Sequence, residues 1–129
     1  MAIIMKSLPE EIIEAWQNRD DVTVITTVDK DGVGNSIYAT CVRMYDNKYI
    51  VVADNYFDKT RKNILEGSSG VVLFITKDNK AYQIKGSFEY YRDGELYDFM
   101  KSWNPEKHPG HAAAVLIPER IYSGSRQVC

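Results

Sequence analysis

Residues 51–64, VVADNYFDKTRKNI, join an apolar strand to a short polar turn and then to a helix. The first backbone N–H groups of a helix have no intrahelical partner, and the helix dipole makes that end electropositive. Lys59 and Thr60 add an ammonium and a hydroxyl group at this point. The junction therefore predicts a pocket for a phosphate group. The alternative interpretation is a solvated, basic first turn for which Asp58 is the N-cap.

On both sides of this junction, strand patterns alternate with tight turns. The predicted strands cover residues 22–28, 35–44, 49–53, 71–76, 81–91 and 112–117. Residues 120–123 are predicted either to continue the last of these strands or to form a seventh strand. Gly86 interrupts a strand and predicts a bulge, and Gly67 is suited to end the helix that begins near Lys59. Apolar residues at helical spacing predict two more helices: Ile12, Ile13 and Trp16 in one, and Leu96, Phe99, Met100 and Trp103 in the other.

These elements predict a mainly β fold. Most neighbouring strands are joined by hairpin turns, so we expect them to pair antiparallel. Six to seven short strands and about three short helices on residues 1–129 favour one domain, a small closed or half-closed barrel with helices over its ends. A doubly wound parallel sheet is disfavoured because few strand pairs are separated by a crossover helix.

The strand predicted at residues 35–44 has two mixed faces. Its predicted faces are Ser36, Tyr38, Thr40, Val42 and Met44 on one side, and Asn35, Ile37, Ala39, Cys41 and Arg43 on the other. A strand of this kind usually borders a core and also a ligand or a subunit interface. A shift of one residue in the strand register would exchange the two faces.

Composition argues against several classes of protein. A net charge of −2 provides no basic field for nucleic acid. No apolar run is long enough to span a membrane, and residues 1–6 lack the apolar core of a signal peptide, so we predict a cytoplasmic protein without a membrane partner. Cys41 and Cys129 provide neither a metal-ligand spacing nor a disulfide framework.

Side-chain catalysis finds little support in the sequence. His108 and His111 share one loop but have no nearby cysteine or clear carboxylate partner, so no metal site is predicted. Motifs for a serine nucleophile, a Walker loop or a dinucleotide site are absent. An enzyme built on this chain would therefore depend on a cofactor. The candidate stacking partners for a planar cofactor are Tyr38, Tyr56, Phe57 and Trp103, although each of these is more often a core residue.

Several motifs resemble the FMN-binding split-barrel family related to pyridoxamine 5′-phosphate oxidase. They are NSIYATCVR at 35–43, YIVVAD at 49–54 and KTRKNI at 59–64. VVLFI at 71–75, YQIKG at 82–86 and AAAVLIPERIY at 112–122 follow in the family's order. The resemblance implies a split β-barrel that forms a homodimer, with FMN held in two symmetric sites at the subunit interface.

The resemblance also implies cofactor contacts. Lys59 and Thr60 would contact the FMN phosphate, in agreement with the argument from the helix start. The residues that would line the flavin ring or the ribityl chain are Ser36, Ile37, Tyr38, Ala39, Ala53 and Asp54. Gln83 would reach a flavin, either in its own subunit or in the partner subunit.

Residues 120–129, RIYSGSRQVC, depart from the basic C-terminal motif with which true pyridoxamine phosphate oxidases hold their substrate. The chain therefore resembles the short FMN-binding proteins and flavin reductases of the fold, and vitamin B6 oxidation is not expected. The expected function is an oxidoreductase that passes hydride or electrons through FMN to a small acceptor, with NAD(P)H as a candidate donor. The alternatives are a non-catalytic FMN or electron carrier, and a split barrel that binds haem or a deazaflavin.

Overall fold

A computed structural model describes residues 6–129, so most of the N-terminal segment tested above for a signal peptide lies outside the described residues. The elements are α1 Glu10–Gln17, β1 Thr23–Val28, β2 Gly34–Ala39, β3 Val42–Tyr45, β4 Tyr49–Asp54, α2 Lys59–Leu65, β5 Ser69–Ile75, β6 Ala81–Tyr91, α3 Glu95–Trp103, β7 Ala112–Ser123 and β8 Arg126–Gln127. No helix within the described range combines the length and apolar character needed to cross a lipid bilayer.

The strands form one curled, half-barrel sheet. Seven of them are hydrogen-bonded in the order β2-β1-β5-β6-β7-β4-β3, and the two-residue β8 adds to β7. Every pairing between the named strands is antiparallel, as the hairpin turns predicted. The predicted mainly β split barrel with three short helices is confirmed.

The prediction of one strand over residues 35–44 is wrong. The segment forms β2, which pairs with β1, and β3, which pairs with β4 at the other end of the sheet. The chain bends at Thr40 and Cys41 to make this change of partner. Tyr38 is 82% exposed and Val42 only 2% exposed, so the two residues do not share a face. Side-chain alternation on its own cannot reveal that a strand changes partners.

Apolar clusters cover both faces of the sheet. The inner cluster joins Ile25, Val72 and Ile84 of the strands to Ile12 and Trp16 of α1. An outer cluster packs α3 against β4 and β7 through Met100, Val51 and Val115. α1 and α3 therefore both use the apolar stripes predicted from their spacing. Burial on two faces also explains why β4 and the first half of β7 are almost continuously apolar.

Glycines shape two of the bends. The register of β6 against β7 shifts between Lys85 and Gly86, which confirms the predicted bulge. A Cβ atom on Gly86 would lie 1.9 Å from the carbonyl oxygen of Ile117, so no larger residue fits without moving the backbone. Gly67 follows α2 with a φ of +88°, the left-handed conformation expected of a residue that ends a helix.

Candidate functional site

A groove of about 380 Å³ lies beside the junction between β4 and α2. One wall comes from β2 and the bend after it, and the other from the end of β4, the loop at 55–58 and the start of α2. His108, from the loop after α3, reaches the rim. The groove has the size of many small-molecule sites and remains open on one side.

Lys59 and Thr60 lie at the α2 end of the groove. Thr60 is 1% exposed, and its Oγ1 accepts a hydrogen bond from Asn35 Nδ2 at 3.1 Å. Within residues 6–129, the backbone N–H groups of Lys59 and Thr60 donate to no other group. α2 has only seven residues, so the attraction for an anion at this end comes from the Lys59 ammonium and the N–H groups of the first turn.

α2 is fixed to the sheet by buried polar contacts. Asn63 Nδ2 donates to Thr27 Oγ1 of β1 at 3.0 Å, and both side chains are almost fully buried. Together with the bond between Asn35 and Thr60, this contact holds the helix against β1 and β2. These two amide-to-hydroxyl bonds, and not the exposed lysine itself, therefore fix the position of Lys59 at the groove.

Asp58 occupies the N-cap position of α2, as one interpretation of the sequence predicted. Its side chain makes no capping hydrogen bond and instead lines the groove. The neighbouring Phe57 N–H is taken by Asp54 Oδ1 at 3.1 Å. Asp54 therefore stabilises the turn from inside the fold. The exposed carboxylate of Asp58 remains at the groove.

Asp54 is fully buried and anchors the turn. Its carboxylate accepts hydrogen bonds from Arg61 Nε at 2.7 Å and Nη2 at 2.9 Å, and from Tyr90 Oη at 2.5 Å. Burial on its own would raise the pKa of Asp54, but the hydrogen bonds from Arg61, Tyr90 and the Phe57 N–H, with the Arg61 charge, outweigh burial and lower it. The pKa of Tyr90 is raised, mainly by burial and also by its hydrogen bond to Asp54. Asp54 is thus an ionised anchor for the loop and the helix.

The predicted cofactor contacts fall into two groups. Six of them line the groove: Ile37, Tyr38, Ala39, Ala53, Lys59 and Thr60. Ser36 does not line it, and its hydroxyl lies 2.8 Å from Thr26 Oγ1 of β1. Asp54 does not line the groove either, because its side chain is fully buried behind the groove wall. Gln83 alternates along β6 with buried Tyr82 and Ile84, so it lies on the opposite face of that strand.

Six residues at the groove were not predicted to contact a cofactor: Asn35, Thr40, Cys41, Asn55, Asp58 and His108. Tyr56 and Phe57, named as candidate stacking partners, also line it, whereas Trp103 packs against Phe99 on α3 with the ring centroids 5.8 Å apart. Within residues 6–129, no three His, Cys, Asp or Glu side chains cluster as metal ligands would. The only sequence signal for His108 was its residue type.

Comparisons with known proteins agree with the fold. The family described as pyridoxamine 5′-phosphate oxidase matches residues 8–128. An uncharacterised protein of Methanocaldococcus jannaschii is 32% identical over 122 residues, which cover 90% of this chain and 80% of that protein. The crystal structure of an FMN-binding protein from Syntrophomonas wolfei gives a TM-score of 0.71 at 22% identity, over 89% of this chain and 87% of the other. An F420 reductase gives 0.67 at 16% identity, over 89% and 98%.

Proposed function

Because the chain belongs to the pyridoxamine 5′-phosphate oxidase family, we propose that it binds FMN in this groove and passes hydride or electrons through the flavin to a small acceptor. The family membership confirms the resemblance found in the sequence. One observation carries the proposal: Lys59, and the N–H groups of Lys59 and Thr60 that find no acceptor within residues 6–129, lie at one end of a groove large enough for a cofactor.

The residues present suit FMN in both chemistry and position. The phosphate would accept hydrogen bonds from Lys59 Nζ and from the backbone at the start of α2. The remaining walls offer the apolar side chains of Ile37, Ala39 and Phe57 to a planar ring. When bound, FMN supplies hydride and electron chemistry, while the chain binds and orients it and excludes part of the solvent.

Vitamin B6 phosphate is not the substrate in this proposal. Arg126, a C-terminal arginine, lies in β8, outside the groove lining. Its Nη2 forms an ion pair with Glu11 Oε2 at 2.6 Å, at the N-terminal helix. Because Arg126 is paired with Glu11 outside the groove, its position supports an acceptor other than vitamin B6 phosphate.

The proposed assembly is a homodimer with a flavin at each of two interface sites. Tyr38 lines the groove and is 82% exposed, a large aromatic surface that a second subunit would cover. Gln83 does not line the groove of its own chain and would meet a flavin from the partner subunit.

A deazaflavin is the second candidate cofactor, because an F420 reductase shares the fold over most of its length. The absorbance spectrum of protein saturated with FMN, with a deazaflavin or with haem separates these cases. Anaerobic addition of NADH or NADPH to the FMN-loaded protein then separates a reductase from a carrier. Bleaching of the flavin band supports a reductase, whereas a flavin that neither nucleotide reduces supports the carrier.

Titration of Lys59→Ala with FMN tests the phosphate assignment. A charge-assisted hydrogen bond contributes roughly 1.5–3 kcal/mol, so we expect the Kd to rise by about 10- to 150-fold. Lys62→Ala is the matched control, because Lys62 lies on the same helix and carries the same charge but does not line the groove. An unchanged Kd in Lys59→Ala, or equal losses in both variants, would contradict the assignment.

A further inference from the structure

Tyr56 and His108 bridge the rim of the groove, and we call them the rim pair. Tyr56 Oη lies 3.0 Å from His108 Nδ1, and the rings meet edge to face with centroids 5.5 Å apart. The two residues are 52 positions apart and come from different loops. Both line the groove. The pair therefore presents one imidazole and one phenol to any molecule that enters from the open side.

Buried amides hold the two loops of the rim pair together. Asn55 Nδ2 donates to Asn104 Oδ1 at 3.0 Å, and Asn104 Nδ2 donates back to Asn55 Oδ1 at 2.9 Å. The Gly110 N–H donates to the same Asn55 oxygen at 2.9 Å. Asn55 and Asn104 are each 8% exposed, so breaking this network would leave buried polar groups without partners. His108 is thus fixed from both sides of its loop.

One nitrogen of His108 is available to a ligand. Nδ1 faces the Tyr56 hydroxyl, and Nε2 has no hydrogen-bonding partner within residues 6–129. When Nδ1 accepts from Tyr56, the neutral imidazole carries its hydrogen on Nε2. The half-buried ring then offers a directed N–H donor at the rim, separate from the donors at Lys59 and Thr60.

The surroundings of this donor favour a neutral, planar carbonyl compound. Tyr56, which is 72% exposed, presents a large aromatic face beside the groove, and such faces stack on planar rings. The exposed carboxylate of Asp58 lines the same groove and disfavours a second anion. An N–H donor recognises a carbonyl oxygen. A quinone combines the planar ring, the neutral charge and the carbonyl oxygen.

We propose that the rim pair binds a carbonyl oxygen of a quinone-type acceptor and protonates that oxygen as the acceptor is reduced. This assignment rests on the proposed function, because the reduced flavin provides the two electrons. The acceptor gains a hydride from the reduced cofactor and a proton from His108 Nε2. An O–H bond forms as the Nε2–H bond breaks, and Nδ1 takes the Tyr56 hydroxyl proton. Tyr56, which is 72% exposed, recovers a proton from water.

Duroquinone and ferricyanide together test the rim pair. Duroquinone needs protons to be reduced and has no free ring position for addition of the Cys41 or Cys129 thiols, whereas ferricyanide accepts one electron and no proton. FMN-loaded protein is reduced with dithionite and its reoxidation is followed by stopped flow. General acids contribute about 10²- to 10⁴-fold, so we expect His108→Ala to slow reoxidation by duroquinone by 10-fold or more and to leave ferricyanide unaffected. Added imidazole should restore part of the lost rate.

Binding provides a second readout that does not depend on turnover. Loss of one hydrogen bond is expected to raise the Kd of duroquinone for the oxidised, FMN-loaded protein by about 2- to 12-fold in His108→Ala. Tyr56→Phe keeps the aromatic ring, so it should lower the duroquinone rate while changing the Kd less. His111→Ala, in the same loop but outside the groove lining, is the matched control and should behave as wild type.

The outcomes separate this inference from the function on which it rests. If the wild-type chain binds no FMN, both are overturned. If it binds FMN but the wild type neither binds duroquinone nor is reoxidised by it, the acceptor class is wrong. Unchanged duroquinone rates and Kd values in His108→Ala and Tyr56→Phe, or equal losses with ferricyanide, would refute the role of the rim pair and leave the FMN site standing.

Discussion

Asp54 and Lys59 lie five residues apart, and only Lys59 lines the groove. Lys59 begins α2 at the groove. The start of a helix can be predicted locally, from the turn before it and the periodicity after it. Asp54 was predicted to line the cofactor, but a buried carboxylate requires partners, and Arg61 and Tyr90 provide them. Tyr90 is 36 residues away in sequence, a distance across which no pattern indicates a contact.

Asp54→Asn tests the anchor. Removal of the charge weakens the bonds from Arg61 and Tyr90, so we expect the free energy of unfolding at pH 7 to fall by about 2 kcal/mol or more. The folded pKa of Asp54 lies below its ordinary value of 3.8. Its stabilisation is therefore fully present above about pH 4 and is lost as the pH falls through the folded pKa.

Urea unfolding of wild type and Asp54→Asn at pH 7 and near pH 2 measures this dependence. The difference between the two proteins should shrink at the lower pH, and Asp93→Asn, an exposed position, should have little effect at either. A difference of the same size at both values would show that the lost stability does not come from the ionised carboxylate.

At the scale of elements, the strand pattern predicted the hairpins but not the break between β2 and β3. The hairpins β1–β2, β3–β4 and β5–β6 follow from their turns, and the bulge in β6 was readable from Gly86. The bend at residues 40–41 was missed because β-branched and aromatic residues continue through it. That bend carries the chain from one end of the sheet to the other, and it forms part of the groove wall.

Gly86→Ala tests the close approach at the bulge. A Cβ atom 1.9 Å from the Ile117 oxygen forces the backbone apart, and overpacking of this kind costs about 1–3 kcal/mol or more of unfolding free energy. Gly34→Ala in β2 is the matched control, since nothing lies within 4 Å of its added Cβ and its φ is not positive. Equal stability of the two variants in denaturant unfolding would contradict the account of the bulge.

At the scale of the whole molecule, the order of strands and hairpin turns predicted the fold class, whereas the sequence did not predict the shape of the groove. Antiparallel pairing followed from the hairpins, and the family resemblance added the split-barrel form, which the sheet order confirms. The groove depends on contacts between β2, the 55–58 loop and the loop that carries His108. Those segments meet only after the sheet has curled, so no single stretch of sequence records their geometry.

The proposed homodimer makes a prediction about mass. Light scattering coupled to size-exclusion chromatography should give twice the chain mass of 14.8 kDa across micromolar concentrations, with one FMN bound per chain. Specific, stable interfaces usually bury more than about 1,000 Å², so we expect the dimer to be the main species at these concentrations. A stable monomer that retains FMN would contradict an interface site.

The central claim is that this groove holds a flavin by its phosphate, and parallel titrations with FMN and riboflavin test it most directly. The two ligands share the ring and the ribityl chain and differ only in the phosphate. We predict that FMN binds with a stoichiometry of one per chain and at least about tenfold more tightly than riboflavin, since charge-assisted bonds to the phosphate contribute roughly 1.5 kcal/mol or more. Equal affinity for the two ligands, or no binding of either, would contradict it.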